Sequence, residues 1–225
     1  MKLQLAVDLV DPQVAKQLIE SVIDLVDIVE VGTPFLMKEG VRAVTEIKNI
    51  YPELEVLADL KIVDAGEHEA RIGFDAGADI VTVLGVAHDA TICGALNQAR
   101  ARNKKVMVDL IAVNEVQKRA CELDAIGVDY ICVHTAFDVQ SRCMNPLQEL
   151  QLVHPVLKGA RLAVAGGIKP ETLSAITTYR PEIIIVGGFI TGHPSQRQAA
   201  LEIRELLDKH KENAEDTDIY HSDTR

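Results

Sequence analysis

The chain has 225 residues, and its 23 Lys and Arg face 34 Asp and Glu, a formal net charge of −11. That balance excludes a general nucleic-acid binder, which needs a basic face to neutralise phosphates. The absence of Trp and 4% aromatic content also remove the stacking platforms that hold single strands. A chain of this length is expected to bury roughly 70% of its unfolded surface in one core.

No apolar run approaches the ~18 residues that span a bilayer, and no signal-peptide core follows Met1, so the expectation is a soluble, cytoplasmic protein with no membrane partner. The four cysteines, Cys93, Cys121, Cys132 and Cys143, show no CxxC spacing and read as reduced and mostly buried.

Short β-branched runs alternate with helical stretches along the chain. The predicted strands are Leu3–Asp8, Ile28–Val31, Glu55–Leu60, Ile80–Leu84, Lys105–Leu110, Tyr130–His134, Arg161–Ala165 and Ile183–Val186. The segments between them carry apolar residues at helical spacing, as at Val14, Leu18, Ile19, Val22 and Ile23. An internal repeat sharpens the pattern: the segment from Val56, VLADLKIVDAGEHEARIGFDAGADIVTV, aligns without a gap to that from Val106. Acids open the even strands at Asp27, Asp79, Asp129 and Glu182, spaced 52, 50 and 53, and three odd strands finish on Asp8, Asp59 and Asp109. A βαβα unit repeated four times closes naturally into a single-domain (β/α)8 barrel; the alternative is an open doubly wound sheet. The barrel is expected over residues 1–209. From His210 the sequence is polar without an apolar face, and residues 210–225 read as a disordered tail.

Strand C-termini face the mouth of such a barrel, so the repeat points to Asp8, Glu30, Asp59, Lys61, Asp109 and His134. Asp59 and Lys61, two apart on an extended strand, share a face; a Lys among carboxylates stays cationic and can stabilise an oxyanion. Glu30 lies within Val29-Glu30-Val31, where a carboxylate is costly unless paired or ligating. With Asp59, and with Asp8 as a further donor, it suits a hard divalent ion such as Mg²⁺; the alternative is a structural pair with Lys61. Gly166-Gly167 and Gly187-Gly188 follow the last two strands, where phosphate-binding barrels hold phosphate, and Lys169-Pro170 opens a helix beside the first pair. His134 at a strand end is a candidate for proton transfer, whereas His68, His88, His154 and His193 are assigned no role.

The ordered set DLKIVDAGEHEA, VEVGTP, VTVLG, VDLIA, HTAFDVQ, VAGGIKPET and VGG resembles the orotidine 5'-monophosphate decarboxylase suprafamily over about Met1 to Lys209. Asp-x-Lys-x-x-Asp is shared across that group and does not choose the reaction. Glu30 resembles the metal-liganding Glu of its Mg²⁺-dependent members, which disfavours the nucleotide substrate. Members that decarboxylate 3-keto-L-gulonate 6-phosphate typically carry Glu, Arg and Thr where this chain has Asp109, Phe137 and Ala165.

The resemblance therefore implies an aldol-type lyase joining formaldehyde to D-ribulose 5-phosphate through an Mg²⁺-stabilised enediolate. Glu30 and Asp59 would be the metal ligands and His134 the base. Lys61 would be the oxyanion partner, and Asp109 and Asp64 would join the catalytic group. Asp8, Gly166, Gly167, Gly187 and Gly188 would contact the sugar phosphate. It implies also a homodimer in which Asp64, past the strand end and three residues beyond Lys61, enters the neighbour's site. Decarboxylation of the keto-gulonate, a non-catalytic sugar-phosphate binder, and an anion-binding barrel with structural carboxylates remain as alternatives.

Overall fold

The computed structural model describes residues 1–140 and 146–222, with the helical backbone alone beyond residue 210. Eight strands, β1 (Lys2–Val7), β2 (Ile28–Val31), β3 (Glu55–Ile62), β4 (Ile80–Leu84), β5 (Lys105–Asp109), β6 (Tyr130–His134), β7 (Arg161–Ala165) and β8 (Ile183–Val186), pair in sequence order. Every pairing is parallel, and β8 returns to β1 to close the barrel. The closed (β/α)8 barrel replaces the open-sheet alternative.

The acids that open the even strands have a structural purpose. Asp27, Asp79 and Asp129 accept the backbone N–H of Leu3, Val56 and Val106, at 2.7, 2.9 and 2.9 Å, and so satisfy donors at the starts of β1, β3 and β5. Glu182, one methylene longer, instead meets Tyr130 Oη and Arg161.

Helices α1 (Pro12–Val22), α2 (Thr33–Glu39), α3 (Arg42–Ile50), α4 (Gly66–Asp75), α5 (Asp89–Ala101) and α6 (Val116–Ile126) cover the first six strands. In α1, the Asp11 carboxylate accepts from the N–H groups of Gln13 and Val14 while Pro12 sets the first turn. Its buried stripe is Ala15, Leu18, Ile19 and Val22; Val14 faces solvent, one residue off the expected stripe. Gly66 lets α4 approach α5, because a Cβ there would lie 1.9 Å from the Thr91 carbonyl oxygen.

After β6 come α7 (Phe137–Gln140), α8 (Leu147–Val153), a 3₁₀ turn (His154–Val156), α9 (Pro170–Thr177), α10 (Gly188–Thr191) and α11 (Gln196–Ser222). The polar tail expected from 210 instead continues α11 to Ser222. Hydrophobic periodicity finds amphipathic helices, whereas the helix propensity of Lys, Glu and Ala leaves no periodic signal. Cys132 is buried as expected, but Cys93 and Cys121 are exposed, and Cys143 lies outside the described residues. No described helix is long and apolar enough to cross a membrane.

Two apolar layers surround the sheet. The outer one packs helices on outward-facing residues such as Leu5, Val29, Val81 and Val108. The inner one fills the barrel with Ala6, Ile28, Leu57, Ile80, Met107, Tyr130, Cys132, Ala163 and Ile183. Below this inner plug, at the strand N-termini, Lys2 and Lys105 meet Glu55, and Arg161 stacks 4.7 Å from the Tyr130 ring. Above it, the inward positions turn polar.

Candidate active site

Alternation along the strands carries Gln4, Glu30, Asp59, Thr82, Asp109 and His134 to the polar upper end of the barrel. Glu30, Asp59 and Asp109 are buried there, His134 is half-buried, and Asp8 stands at the rim just past β1. Lys61 reaches into this group, with Nζ 2.9 Å from Asp59 Oδ2 and 3.3 Å from Asp109 Oδ2. His134 Nδ1 lies 2.8 Å from the same Asp109 oxygen.

Asp59 and Lys61 meet, as their spacing predicts, but not by regular alternation. The β3–β4 register shifts between Ala58 and Ile62, and Lys61 adopts a left-handed conformation at φ 48°. A non-glycine residue there stores strain of about 1–3 kcal/mol, a feature that clusters at functional sites.

The electrostatics divide the carboxylates. Burial and then the charge of Asp59 push Glu30 well above the usual carboxylate range, with Asp8 adding to the effect against a hydrogen bond from Gln4. Crowding by protein atoms and then Asp59 raise Asp8, against Lys61 and His134. Burial acts upward on Asp109 too, but the hydrogen bond and charge of His134, then Lys61, outweigh it and hold the group ionised. Lys61 is desolvated, yet Asp59, Asp109 and Glu30 keep it a firm cation. An ionised Asp109 fixes the His134 tautomer: Nδ1–H donates to it, and Nε2 is left to accept a proton.

The partner of Glu30 is Gln4, whose Nε2 donates at 2.6 Å; among the described residues no ion pair joins Glu30 to Lys61, which removes the structural-pair alternative. The amide oxygen of Gln4 is buried without a partner. Glu30 is thus a buried carboxylate crowded by anions, beside an unmet acceptor, and a hard cation fits such oxygen donors. Among the described residues no three His, Cys, Asp or Glu side chains converge as a metal-ligand group. Glu30 and Asp59 therefore suit an ion that completes its shell with water or substrate oxygens rather than one caged by protein.

Gly166 and Gly167 both have positive φ, 92° and 67°, and a Cβ on Gly166 would lie 2.2 Å from the Thr135 carbonyl oxygen. That pair needs glycine. Gly187 and Gly188 have no such requirement: Gly187 has φ −110° and Gly188 has open space around its Cβ position. Both pairs follow their strands at the mouth, and Lys169 with Pro170 opens α9.

Asp64 stands apart. It is exposed, accepts the Ala65 N–H at 2.8 Å, and forms no ion pair with the central group among the described residues. Phe137 is 83% exposed at the start of α7.

Three polar residues escaped the sequence reading. Thr33 Oγ1 donates within 2.8 Å of Asp59 Oδ2, Thr82 Oγ1 donates to Asp59 Oδ1 at 2.8 Å, and Gln4 holds Glu30. For Gln4 and Thr82 the signal was the strand period, since Gln4 precedes Asp8 by four residues on one face and Thr82 follows Ile80 by two; Thr33, the first residue of α2, carried no such signal.

Residues 1–203 match the family described as orotidine 5'-phosphate decarboxylase / HUMPS. The chain is 47% identical over 207 residues to 3-hexulose-6-phosphate synthase of Bacillus subtilis (strain 168), covering 92% of this chain and 99% of that protein. The crystal structure of 3-hexulose-6-phosphate synthase from Salmonella typhimurium superposes with a TM-score of 0.91 at 43% identity, over 93% of this chain and 100% of that one. That of 3-keto-L-gulonate-6-phosphate decarboxylase from Vibrio cholerae O1 biovar El Tor superposes at 0.83 and 27% identity, over 93% and 98%. With its closed barrel and its acid–lysine–histidine mouth, the chain belongs to the orotidine 5'-phosphate decarboxylase / HUMPS family.

Proposed function

We propose that the chain is a 3-hexulose-6-phosphate synthase, an aldehyde-lyase that condenses formaldehyde with D-ribulose 5-phosphate to D-arabino-hex-3-ulose 6-phosphate, reversibly. The observation that carries this reading is the relay in which Asp109 holds both His134 Nδ1 and Lys61 Nζ, at 2.8 and 3.3 Å. A base and a fixed cation are thereby aimed at one mouth. The synthase relatives at 43–47% identity support this choice of reaction over the decarboxylase.

His134 Nε2 takes the proton from C1 of the sugar phosphate while Asp109 supports the imidazolium that forms. Lys61 donates to the oxyanion developing at C2. The C1 carbon of the enediolate then forms a bond to formaldehyde, and the proton held on His134 passes to the alkoxide derived from the formaldehyde oxygen. Asp8, at the rim, accepts from substrate hydroxyls, and the backbone at Gly166, Gly167, Gly187 and Gly188 holds the phosphate. Glu30 and Asp59 would hold Mg²⁺, which when bound supplies Lewis-acid polarisation of the sugar oxygens.

The proposal includes a homodimer in which each chain lends Asp64 to its neighbour, in a cytoplasmic setting. Support comes from the separation of Asp64 from its own cluster and from the exposed apolar side chains of Val63 beside it and Ile72 on α4.

The test is the purified chain with D-ribulose 5-phosphate and formaldehyde, with and without Mg²⁺, and separately with 3-keto-L-gulonate 6-phosphate. Formaldehyde loss that needs both the sugar phosphate and the metal is expected. Release of CO₂ from the keto-gulonate with no formaldehyde consumption would transfer the reading to the decarboxylase.

A further inference from the structure

Between the paired positions Ala58↔Val81 and Ile62↔Val83, β3 spends three residues, Asp59, Leu60 and Lys61, where β4 spends one, Thr82. The residue opposite this bulge does what the interrupted ladder does not. Thr82 Oγ1 accepts the Lys61 backbone N–H at 2.9 Å and donates to Asp59 Oδ1 at 2.8 Å. A hydroxyl has one proton and two lone pairs, so one oxygen serves both bonds. Thr82 is 4% exposed, which leaves little access for bulk water to replace it.

We infer that Thr82 is a positioning residue: its hydroxyl ties the left-handed Lys61 backbone to the Asp59 carboxylate, and so sets where the Lys61 ammonium stands. Lys61 at φ 48° is not held there by its own preference, since L side chains rarely adopt such backbone and are strained in it. Freed of the Thr82 bond, the segment can relax toward extended strand and carry Nζ away from Asp59 and Asp109. A displacement on the order of 1 Å in a positioning group costs about 10²-fold in rate. Thr82 makes this contribution through Asp59 and Lys61, with no contact of its own with the reacting carbons. The inference rests on the proposed condensation for its kinetic consequence, but the geometric hold exists without substrate.

The experiment compares the parent with Thr82→Val, which keeps the shape and removes both hydrogen bonds, and Thr82→Ser, which keeps both bonds and removes a methyl. In Thr82→Val, kcat is expected to fall about 10–100-fold, while KM for the sugar phosphate moves less than about threefold because the phosphate loops lie after other strands. Amide hydrogen exchange at Lys61, measured on the substrate-free protein, is expected to accelerate at least about tenfold as its acceptor is lost. Thr82→Ser should keep both readouts within about threefold of the parent. Thr82→Val with parental kcat and a protected Lys61 amide overturns the assignment, and so does Thr82→Ser as impaired as Thr82→Val, which would make the role one of packing. If Thr82→Val fails to fold, Thr82→Cys provides the same comparison with a weaker hydrogen-bonding group. A parent inactive with formaldehyde and sugar phosphate overturns the proposed function, and the Lys61 exchange data then decide the Thr82 assignment alone.

Discussion

The two ends of the barrel use the same residue types with opposite balance. At the lower end Glu55 faces two ammonium groups, Lys2 and Lys105, and just outside it Asp79 faces Lys48 and Lys104. Burial acts upward on both acids, but their cationic partners outweigh it and hold them below the usual carboxylate range. At the upper end Asp8, Glu30, Asp59 and Asp109 share one firm cation and one imidazole, and Glu30 and Asp8 are pushed up. Matched charges close a barrel and need nothing further. Unmatched carboxylates at a mouth cost stability that a bound cation would recover, so charge balance distinguishes the lower end from the proposed site at the upper one.

The largest effect that tests this contrast falls on proton transfer. His134→Asn should lower turnover by about 10²–10⁴-fold and slow exchange of the substrate C1 proton with solvent deuterium to match. Persistence of that exchange at the parental rate would make another residue the base.

Removing the metal comes next. Exhaustive chelation should abolish condensation and added Mg²⁺ should restore it. Glu30→Gln should weaken metal binding and turnover and yet stabilise the metal-free protein. The folded-state pKa of Glu30 lies above its ordinary 4.5. Its contribution is therefore full below that value and lost as pH rises through the raised one, leaving a penalty at neutral pH that Gln removes. A gain of about 1 kcal/mol would raise Tm by roughly 2–4 °C for a chain of this size, read by calorimetry in chelator.

The shared-site proposal gives a smaller, numerical signal. Co-expression of Lys61→Ala with Asp64→Asn yields mixed dimers with one doubly defective site and one intact site. Random pairing then returns roughly a quarter of parental activity. No recovery in demonstrated mixed dimers would return Asp64 to its own chain's surface.

The smallest effect belongs to the lower end. Glu55→Gln should cost about 1–2 kcal/mol and leave activity at the parental level. Because the folded pKa values of Glu55 and Asp79 are depressed, their contribution is present above their ordinary 4.5 and 3.8 and is lost as pH falls through the lowered values. Melting temperatures of Glu55→Gln should accordingly fall less steeply than those of the parent as pH falls below about 4.5.

Much of this architecture was legible in the chain. Five strands, β2, β4, β6, β7 and β8, have the bounds that the sequence predicts, because β-branched runs between turn residues mark buried parallel strands. The spacing of the acids marked four nearly equal quarters, and the structure gives Asp27, Asp79 and Asp129 their reason as acceptors for the N–H group of the second residue of the preceding odd strand. The helix beyond residue 210 was not legible, since its sequence has no apolar stripe to find.

In the site, the sequence alone selected the candidates: strand-end position picks out Asp8, Glu30, Asp59, Asp109 and His134, because the period of a strand fixes which side chains face inward and toward the mouth, whereas Lys61 reaches the same group through a bulge that breaks that period. Only the tertiary structure decided who holds whom. That Lys61 pairs with Asp59 and Asp109 while Glu30 is left to Gln4, and that Thr82 ties a bulged strand together, depends on register between strands distant in sequence. Local patterns carry no register. It is set where eight strands close on one core and each bulge must find its acceptor in the strand beside it.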